Sequence, residues 1–134
     1  MVDTTKSIKE ENVPKLKKAL QLLIQQFDIS EDGTHISFLT FAKKSILHNK
    51  FNDREYYSEQ AILNLTSNCI ELSKPTRLDL ALSKANDEMF IDESGQRAGV
   101  EKVMVLYADG RSHPNTKDFY LDVVALKVRA LAIK

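Results

Sequence analysis

The chain has 134 residues, of which 43% are hydrophobic and 28% charged, as expected for a single globular domain that can bury a core. Lysine plus arginine and aspartate plus glutamate each number 19, so the formal net charge is zero, which argues against a general nucleic-acid or membrane-surface binder. A single cysteine, Cys69, excludes an internal disulfide framework and a cysteine-rich zinc site, and its apolar helical surroundings favour a buried thiol.

The chain begins with three oxygen-bearing side chains at alternate positions, Asp3, Thr5 and Ser7. In an extended segment this spacing points all three side chains the same way. A helix is predicted next, because Pro14 suits a first helical turn and apolar residues follow at helical spacing. The apolar stripe of this helix consists of Leu16, Leu20, Leu23 and Phe27.

Two strands are predicted after the turn signal at residues 31–33. Residues 34–42 are rich in aromatic and β-branched side chains, which predicts a strand. A second, shorter strand is predicted around residues 45–51. Together the two strands are expected to form a hairpin at a sheet edge, closed by Asn52-Asp53.

Two further helices are predicted before the next strand. The first begins at Ser58 and has an apolar face formed by Ala61, Ile62, Leu65, Cys69 and Leu72. The second has an apolar stripe that starts at Leu78 and runs to about Phe90. Thr76 would lie at or just before the N-terminus of this helix, which is a usual place for a capping threonine.

Residues 103–107, Val-Met-Val-Leu-Tyr, form an apolar run that predicts a strand buried on both faces, as in parallel sheets covered by helices. Asp109 follows at the carboxyl end of this strand, where open α/β sheets bind ligands, although Asp109-Gly110 also suits a simple turn. A last helix is predicted from about Thr116 to Ile133. The alternating elements predict an α/β domain with helices on both sheet faces, but three strands are too few for so many helices.

Five oxygen-bearing side chains fall where loops meet helix starts or strand ends: Asp3, Thr5, Ser7, Thr76 and Asp109. Such hard oxygen ligands suit Mg²⁺, Mn²⁺ or Ca²⁺ rather than zinc. Because Mg²⁺ usually retains several waters, hydroxyls with one or two carboxylates can hold it and leave a position open for a carboxylate from a partner.

Three motifs resemble those of von Willebrand factor type A domains. Asp3-x-Thr5-x-Ser7 is similar to the Asp-x-Ser-x-Ser motif of that family, and Thr76 followed by Ala81-Leu82 resembles its second loop. Val-Leu-Tyr-Ala-Asp109-Gly110 resembles its third loop, a hydrophobic strand that ends in Thr-Asp-Gly. The motifs occur in the family's order, and Phe38-x-x-Phe41 falls where its second strand would lie. The resemblance covers essentially the whole chain.

The resemblance implies an open, mainly parallel, Rossmann-like sheet with helices on both faces and one antiparallel edge strand. It also implies a metal-ion-dependent adhesion site in which Thr5 and Ser7 ligate Mg²⁺, Mn²⁺ or Ca²⁺ directly. Thr76 would ligate the ion directly in the ligand-bound form, and Asp3 and Asp109 would hold it mainly through waters. An acidic side chain of a protein partner, such as an extracellular-matrix protein, would complete the shell.

The chain departs from the family pattern at several positions. Lys6 lies between the two hydroxyls, where its charge disfavours a cation unless it points to solvent. Ala108 replaces the usual threonine, and Ser-Lys-Pro replaces a glycine-rich lead into Thr76. None of these changes removes a ligand atom. We further expect residues 1–134 to be one incomplete domain, lacking most of the first strand and the C-terminal strands and helix, or completing its sheet with another chain.

The resemblance implies an extracellular or cell-surface location, and the sequence contains neither an apolar run of membrane-spanning length nor a signal pattern. Arg111, Ser112 and His113 lie beside the third motif and are candidate partner contacts. The alternative hypothesis is a metal-independent scaffold in which Thr76 and Asp109 only cap and turn the chain. An enzyme is not expected, because no histidine is spaced for a nucleophile and base and no glycine-rich phosphate loop is present.

Overall fold

Five strands form one sheet in the order β3-β2-β1-β4-β5 in the computed structural model, which describes residues 1–109 and 129–133. The strands are β1 (Val2–Asp3), β2 (Leu39–Phe41), β3 (Ser45–Leu47), β4 (Val103–Tyr107) and β5 (Arg129–Ile133). β1 runs parallel to both β2 and β4, β4 runs parallel to β5, and β3 is antiparallel to β2. The prediction of a mainly parallel sheet with an antiparallel edge strand is therefore confirmed.

Although β1 contains only two residues, this strand and the residues beside it form hydrogen bonds to both β2 and β4. The nitrogen of Met1 donates to the Val105 carbonyl over 2.7 Å, and Tyr107 N donates to the Met1 carbonyl over 3.0 Å. On the other side Thr4 N donates to the Phe41 carbonyl over 2.9 Å. These bonds fix the register in which Asp3 leaves the sheet.

In the part of the chain that the structure describes, three α-helices flank the strands: α1 (Val13–Ile24), α2 (Glu59–Asn68) and α3 (Leu78–Lys84). As the sequence predicts, Pro14 occupies the first turn of α1 and α2 begins next to Ser58. The Ser58 hydroxyl caps α2 by accepting from Ala61 N. The helix predicted up to Phe90 changes at its centre, because α3 passes into a π-helical turn over Ala85–Met89. No helix among the described residues is long and apolar enough to cross a membrane.

The sheet has an apolar core on each face. On one face Val2 and Phe38 pack with residues of α1 and α2, including Leu20 and Ile62. On the opposite face β2 and α3 contribute buried side chains, namely Leu39, Phe41, Ala81 and Leu82. Alternate residues of an extended strand face opposite sides, so Phe38 joins the first core while Leu39 joins the second.

The strand predicted over residues 34–42 is shorter in the structure, because a buried asparagine replaces part of the strand pairing. Asn49 accepts from Phe38 N through Oδ1 and donates to the Ile36 carbonyl through Nδ2, both over 2.8 Å. Regular pairing is therefore confined to Leu39–Phe41, opposite Ser45–Leu47. The second strand predicted over residues 45–51 correspondingly ends at Leu47.

The helix predicted from Thr116 to Ile133 is wrong at its end, where Arg129–Ile133 form β5 and pair with all five residues of β4. The earlier part of that prediction lies outside the described residues. The sequence predicts three strands, whereas the described residues form five. β4 is less buried than predicted: Val103 is exposed and Met104 is buried, while its last three residues are half-buried.

Candidate metal centre

The carboxyl ends of β1 and β4 lie side by side at the middle of the sheet. From β1 the chain proceeds to β2 on one side, whereas β4 lies on the other side of β1 and precedes β5. The strand order thus reverses between β1 and β4. In open α/β sheets such a reversal leaves a crevice outside the carboxyl ends of the strands, which is where ligands bind.

Asp3 ends β1 and is fully buried at this crevice. Its Oδ1 atom accepts a hydrogen bond from Thr5 N over 2.8 Å. Its second oxygen, Oδ2, is also buried and has no hydrogen-bond partner among the described residues. A buried carboxylate oxygen without a donor is costly, so this atom is suited to an electropositive ligand.

Thr5 and Ser7 bring two hydroxyls together beside Asp3. Thr5 is buried and precedes a short 3-10 turn over Lys6–Ile8, and that turn carries the exposed Ser7. The two hydroxyl oxygens are 2.6 Å apart and share a hydrogen bond. The alternation predicted from the sequence does place Thr5 and Ser7 together, but the turn rather than an extended strand achieves it.

Asp109, at the end of β4, lies close enough to Asp3 to affect its ionisation. The pKa of Asp3 is raised from its ordinary value, chiefly because burial disfavours the charged form, and the charge of Asp109 raises it further. The nearby Thr5 hydroxyl and the backbone N–H groups of Thr5 and Asp109 favour the charged form and lower the pKa in part. Two carboxylates therefore approach each other where a cation would relieve their repulsion.

The loop that contains Thr76 is attached to the same crevice through its backbone. Ser73 N donates to the Thr4 carbonyl and Lys6 N donates to the Ser73 carbonyl, each over 2.9 Å. Beyond Thr76, Arg77 N donates to the Ala42 carbonyl just after β2 over 3.1 Å. Half-buried Thr76 lies in the short segment between these two attachments.

Sequence reasoning did not identify two features of this loop. Ser73 attaches it to the β1 loop entirely through backbone atoms, which leave no side-chain signature in the sequence. Arg77 and Asp79 form a bidentate ion pair at the start of α3, with Nε–Oδ1 and Nη2–Oδ2 distances of 2.9 and 2.7 Å. Opposite charges two residues apart before an apolar helix were the available signal for this pair.

The departures from the family pattern leave the crevice intact. Lys6 is exposed at the surface, and Ala108 is half-buried against the core on the α3 side of the sheet, where it packs as an apolar residue. The candidate partner contacts Arg111, Ser112 and His113 lie outside the described residues. The described part of the chain contains no group of three or more histidine, cysteine, aspartate or glutamate side chains arranged for a metal.

The donors at the crevice are thus two carboxylates and two clustered hydroxyls, with a third hydroxyl on the adjoining loop. This is a donor set for a hard cation that keeps part of its water shell, rather than for a fully caged metal. Such a cation would interact with Asp3 Oδ2, which is buried without a hydrogen-bond partner among the described residues. The residues present therefore fit a divalent cation.

Comparison with known proteins gives a consistent family. The sequence model of the von Willebrand factor type A domain matches residues 1–134. Matrilin-3 of Gallus gallus is 29% identical over 83% of this chain, and human matrilin-1 is 25% identical over all of it. The human collagen alpha-5(VI) chain is 26% identical over 88% of the chain. The chain spans only about a quarter of the length of the matrilins, at 25% and 26%.

Solved structures show the same fold. Proximal thread matrix protein 1 of the mussel byssus superposes with a TM-score of 0.85 over 98% of this chain and 36% of its own, at 18% identity. A second structure of that protein, described as having a zinc-occupied MIDAS motif, superposes with a TM-score of 0.84. Because the family model matches residues 1–134, the chain belongs to the von Willebrand factor type A domain family.

Proposed function

We propose that this domain is a metal-ion-dependent protein-binding module of the adhesion type. Thr5, Ser7 and Thr76 would offer hydroxyl ligands to Mg²⁺, or to Mn²⁺ or Ca²⁺ in its place, and Asp3 and Asp109 would balance its charge, mainly through waters. The bound ion would supply an electrophilic coordination position for a carboxylate. These five residues would keep the ion at the rim of the crevice, where a partner can reach it.

The observation that carries this proposal is the buried, unpartnered Oδ2 of Asp3 beside the hydroxyl pair of Thr5 and Ser7. A site that served only to turn the chain would be expected to satisfy both carboxylate oxygens with backbone donors. Here Oδ1 accepts from Thr5 N, and Oδ2 has no hydrogen-bond partner within residues 1–109 and 129–133. The arrangement favours a cation over the metal-independent scaffold.

The exposure of the site residues suits capture of a protein partner. Asp3 and Thr5 are buried, whereas Ser7 and Asp109 are exposed, so the site opens to solvent on one side. A partner presenting an aspartate or glutamate could reach an ion there without rearrangement of the sheet. The similarity to matrilins and to a collagen chain supports an extracellular or cell-surface setting and a matrix partner.

Thermal unfolding in Mg²⁺, in Mn²⁺ and in EDTA tests the proposal. An ion that binds only the folded chain raises the melting temperature, by about 10 °C when its concentration is roughly 100 times Kd. We expect this rise in the parent and its loss in Asp109→Asn. The matched control is Asp32→Asn, which removes the same charge from an exposed residue before β2, and it should keep the rise.

The outcomes separate the candidate functions. A rise that is lost only in Asp109→Asn supports the metal centre and justifies measuring partner affinity with and without chelator. A cooperative melt that is the same in EDTA and in saturating Mg²⁺ and Mn²⁺ would overturn the metal-dependent function and leave the scaffold. An equal rise in Asp109→Asn would show that a cation binds elsewhere.

A further inference from the structure

The Thr76 loop is attached to the crevice at both of its ends, but these attachments are backbone hydrogen bonds to other loops and strand ends. Ser73 is bonded to Thr4 and Lys6, and Arg77 N is bonded to the Ala42 carbonyl. Three residues, 74–76, separate the attached positions. The orientation of a metal-ligating hydroxyl within so short a segment depends on how firmly its following residue is held.

Arg77 is held by its side chain as well as by its backbone. Its guanidinium forms two parallel hydrogen bonds to the Asp79 carboxylate, over 2.9 and 2.7 Å. The Asp79 side chain is 5% exposed and that of Arg77 is 24% exposed, so this ion pair is largely shielded from solvent. The forked geometry fixes the direction of both groups, which a single contact would not do.

The ion pair also lies at the N-terminus of α3. Arg77 is the N-cap residue and cannot accept hydrogen bonds from the first helical amides through its side chain, and no side-chain cap is present. Asp79 lies in the first turn, where a negative charge is favoured by the helix dipole. The pair therefore connects the end of the Thr76 loop to a helix that is packed in the core through Ala81 and Leu82.

Its burial suggests a role beyond stability. A buried ion pair loses most of its attraction to desolvation, so an apolar pair of similar size is often as stable. What the fork adds is a defined geometry at the residue next to Thr76. We propose that Arg77 and Asp79 are positioning residues that hold the Thr76 hydroxyl in place for the metal ion; this rests on the proposed function.

Mn²⁺ affinity, measured from the loss of the free-ion EPR signal, tests the role. Removal of groups that orient metal ligands typically weakens metal binding about 10- to 100-fold, and we expect that loss in Asp79→Asn and in the double variant Arg77→Met with Asp79→Leu. Arg77→Lys keeps the positive charge but loses the two parallel hydrogen bonds, so this variant should also bind Mn²⁺ more weakly than the parent. The matched control is Lys84→Met with Glu88→Leu, which removes an ion pair further along the same helical segment. Its carboxylate partner, Glu88, is 52% exposed, and this variant should bind Mn²⁺ like the parent.

A thermodynamic cycle with Thr76→Ala distinguishes positioning from a general structural effect. If the pair acts through Thr76, breaking it in the Thr76→Ala background should cost no further Mn²⁺ affinity, so the two losses should not add. Additive losses, or unchanged affinity in the double variant, would overturn the positioning role while leaving the metal centre. A parent that binds no Mn²⁺ would overturn both, and unfolding in EDTA identifies variants that merely fail to fold.

Discussion

At the scale of single residues, Asp3 carries two opposing demands. Asp3 lies at the end of the central strand, where one carboxylate oxygen accepts from Thr5 N. The other oxygen is buried and has no donor in the described part of the chain. Without metal, the ionised side chain is therefore held in an unfavourable place, close to Asp109. Binding sites commonly hold residues in arrangements that lower the stability of the fold.

Substitution of Asp3 by asparagine should separate stability from metal binding. Asparagine can still accept from Thr5 N and can donate toward Asp109, and it removes one of the two like charges. We therefore expect the melting temperature of Asp3→Asn in EDTA to equal or exceed that of the parent, while its rise with Mg²⁺ is lost. A large fall in the EDTA melting temperature would show that the Asp3 charge stabilises the metal-free fold.

The pH dependence of the parent follows from the same carboxyl group. Its pKa in the folded chain is above the ordinary value of 3.8, so between the two values the folded state binds more protons than the unfolded state. The contribution of Asp3 to stability in EDTA should thus increase as pH falls through the raised pKa, and it should be absent in Asp3→Asn. Metal affinity should change in the opposite direction, because protons compete with the cation.

At the scale of elements, the hairpin of β2 and β3 depends on one buried polar side chain. Asn49 is 3% exposed and satisfies both Phe38 N and the Ile36 carbonyl, where regular strand pairing stops. It therefore substitutes for part of a strand ladder. The carbonyl of Phe41 in β2 accepts from Thr4 N, and that of Ala42, just after β2, accepts from Arg77 N.

Replacing Asn49 by alanine should therefore destabilise the domain by about 2–3 kcal/mol, since a buried backbone amide and a partly buried carbonyl lose their partner. Urea unfolding measures this change. The matched control is Asn64→Ala, an exposed asparagine on α2, which we expect to change the free energy of unfolding by no more than about 0.5 kcal/mol. Similar losses in both variants would contradict the role assigned to Asn49.

Sequence reasoning succeeded where the signal was local. Three predictions depend on near neighbours and are confirmed by the structure: Pro14 in the first turn of α1, the start of α2 next to Ser58, and the strand β4. Asp3, Thr5 and Ser7 are close in sequence, so their proximity was predictable as well. The Ala-Leu-Ala centre of β5 has a high helix propensity. It forms a strand because all five residues of β5 pair with β4, a long-range interaction that the local sequence does not show. The Ser73 backbone attachment had no signal at all.

At the scale of the whole molecule, the candidate metal centre joins three parts of the chain that are distant in sequence. The β1 loop contributes Asp3, Thr5 and Ser7, the loop before α3 contributes Thr76, and the end of β4 contributes Asp109. The ends of β1 and β4 lie where the strand order reverses, and the Thr76 loop is hydrogen-bonded to the β1 loop through Ser73, so the proposed site would form only in the assembled sheet. Binding of a cation should therefore stabilise segments that no local motif connects.

Hydrogen exchange with and without Mg²⁺ measures this coupling. We expect the cation to slow exchange of amides in residues 3–8, 73–77 and 107–109 together, because each segment holds or adjoins a proposed ligand. The turn at residues 31–33 and the loop at residues 92–99, which precede β2 and β4 at the other end of the sheet, should exchange equally fast in both conditions. Protection confined to residues 3–8 would show that the cation binds the first motif alone, and protection spread evenly over both ends would indicate general stabilisation. Protection of the three segments alone would identify the strand reversal as the place where the fold assembles its function.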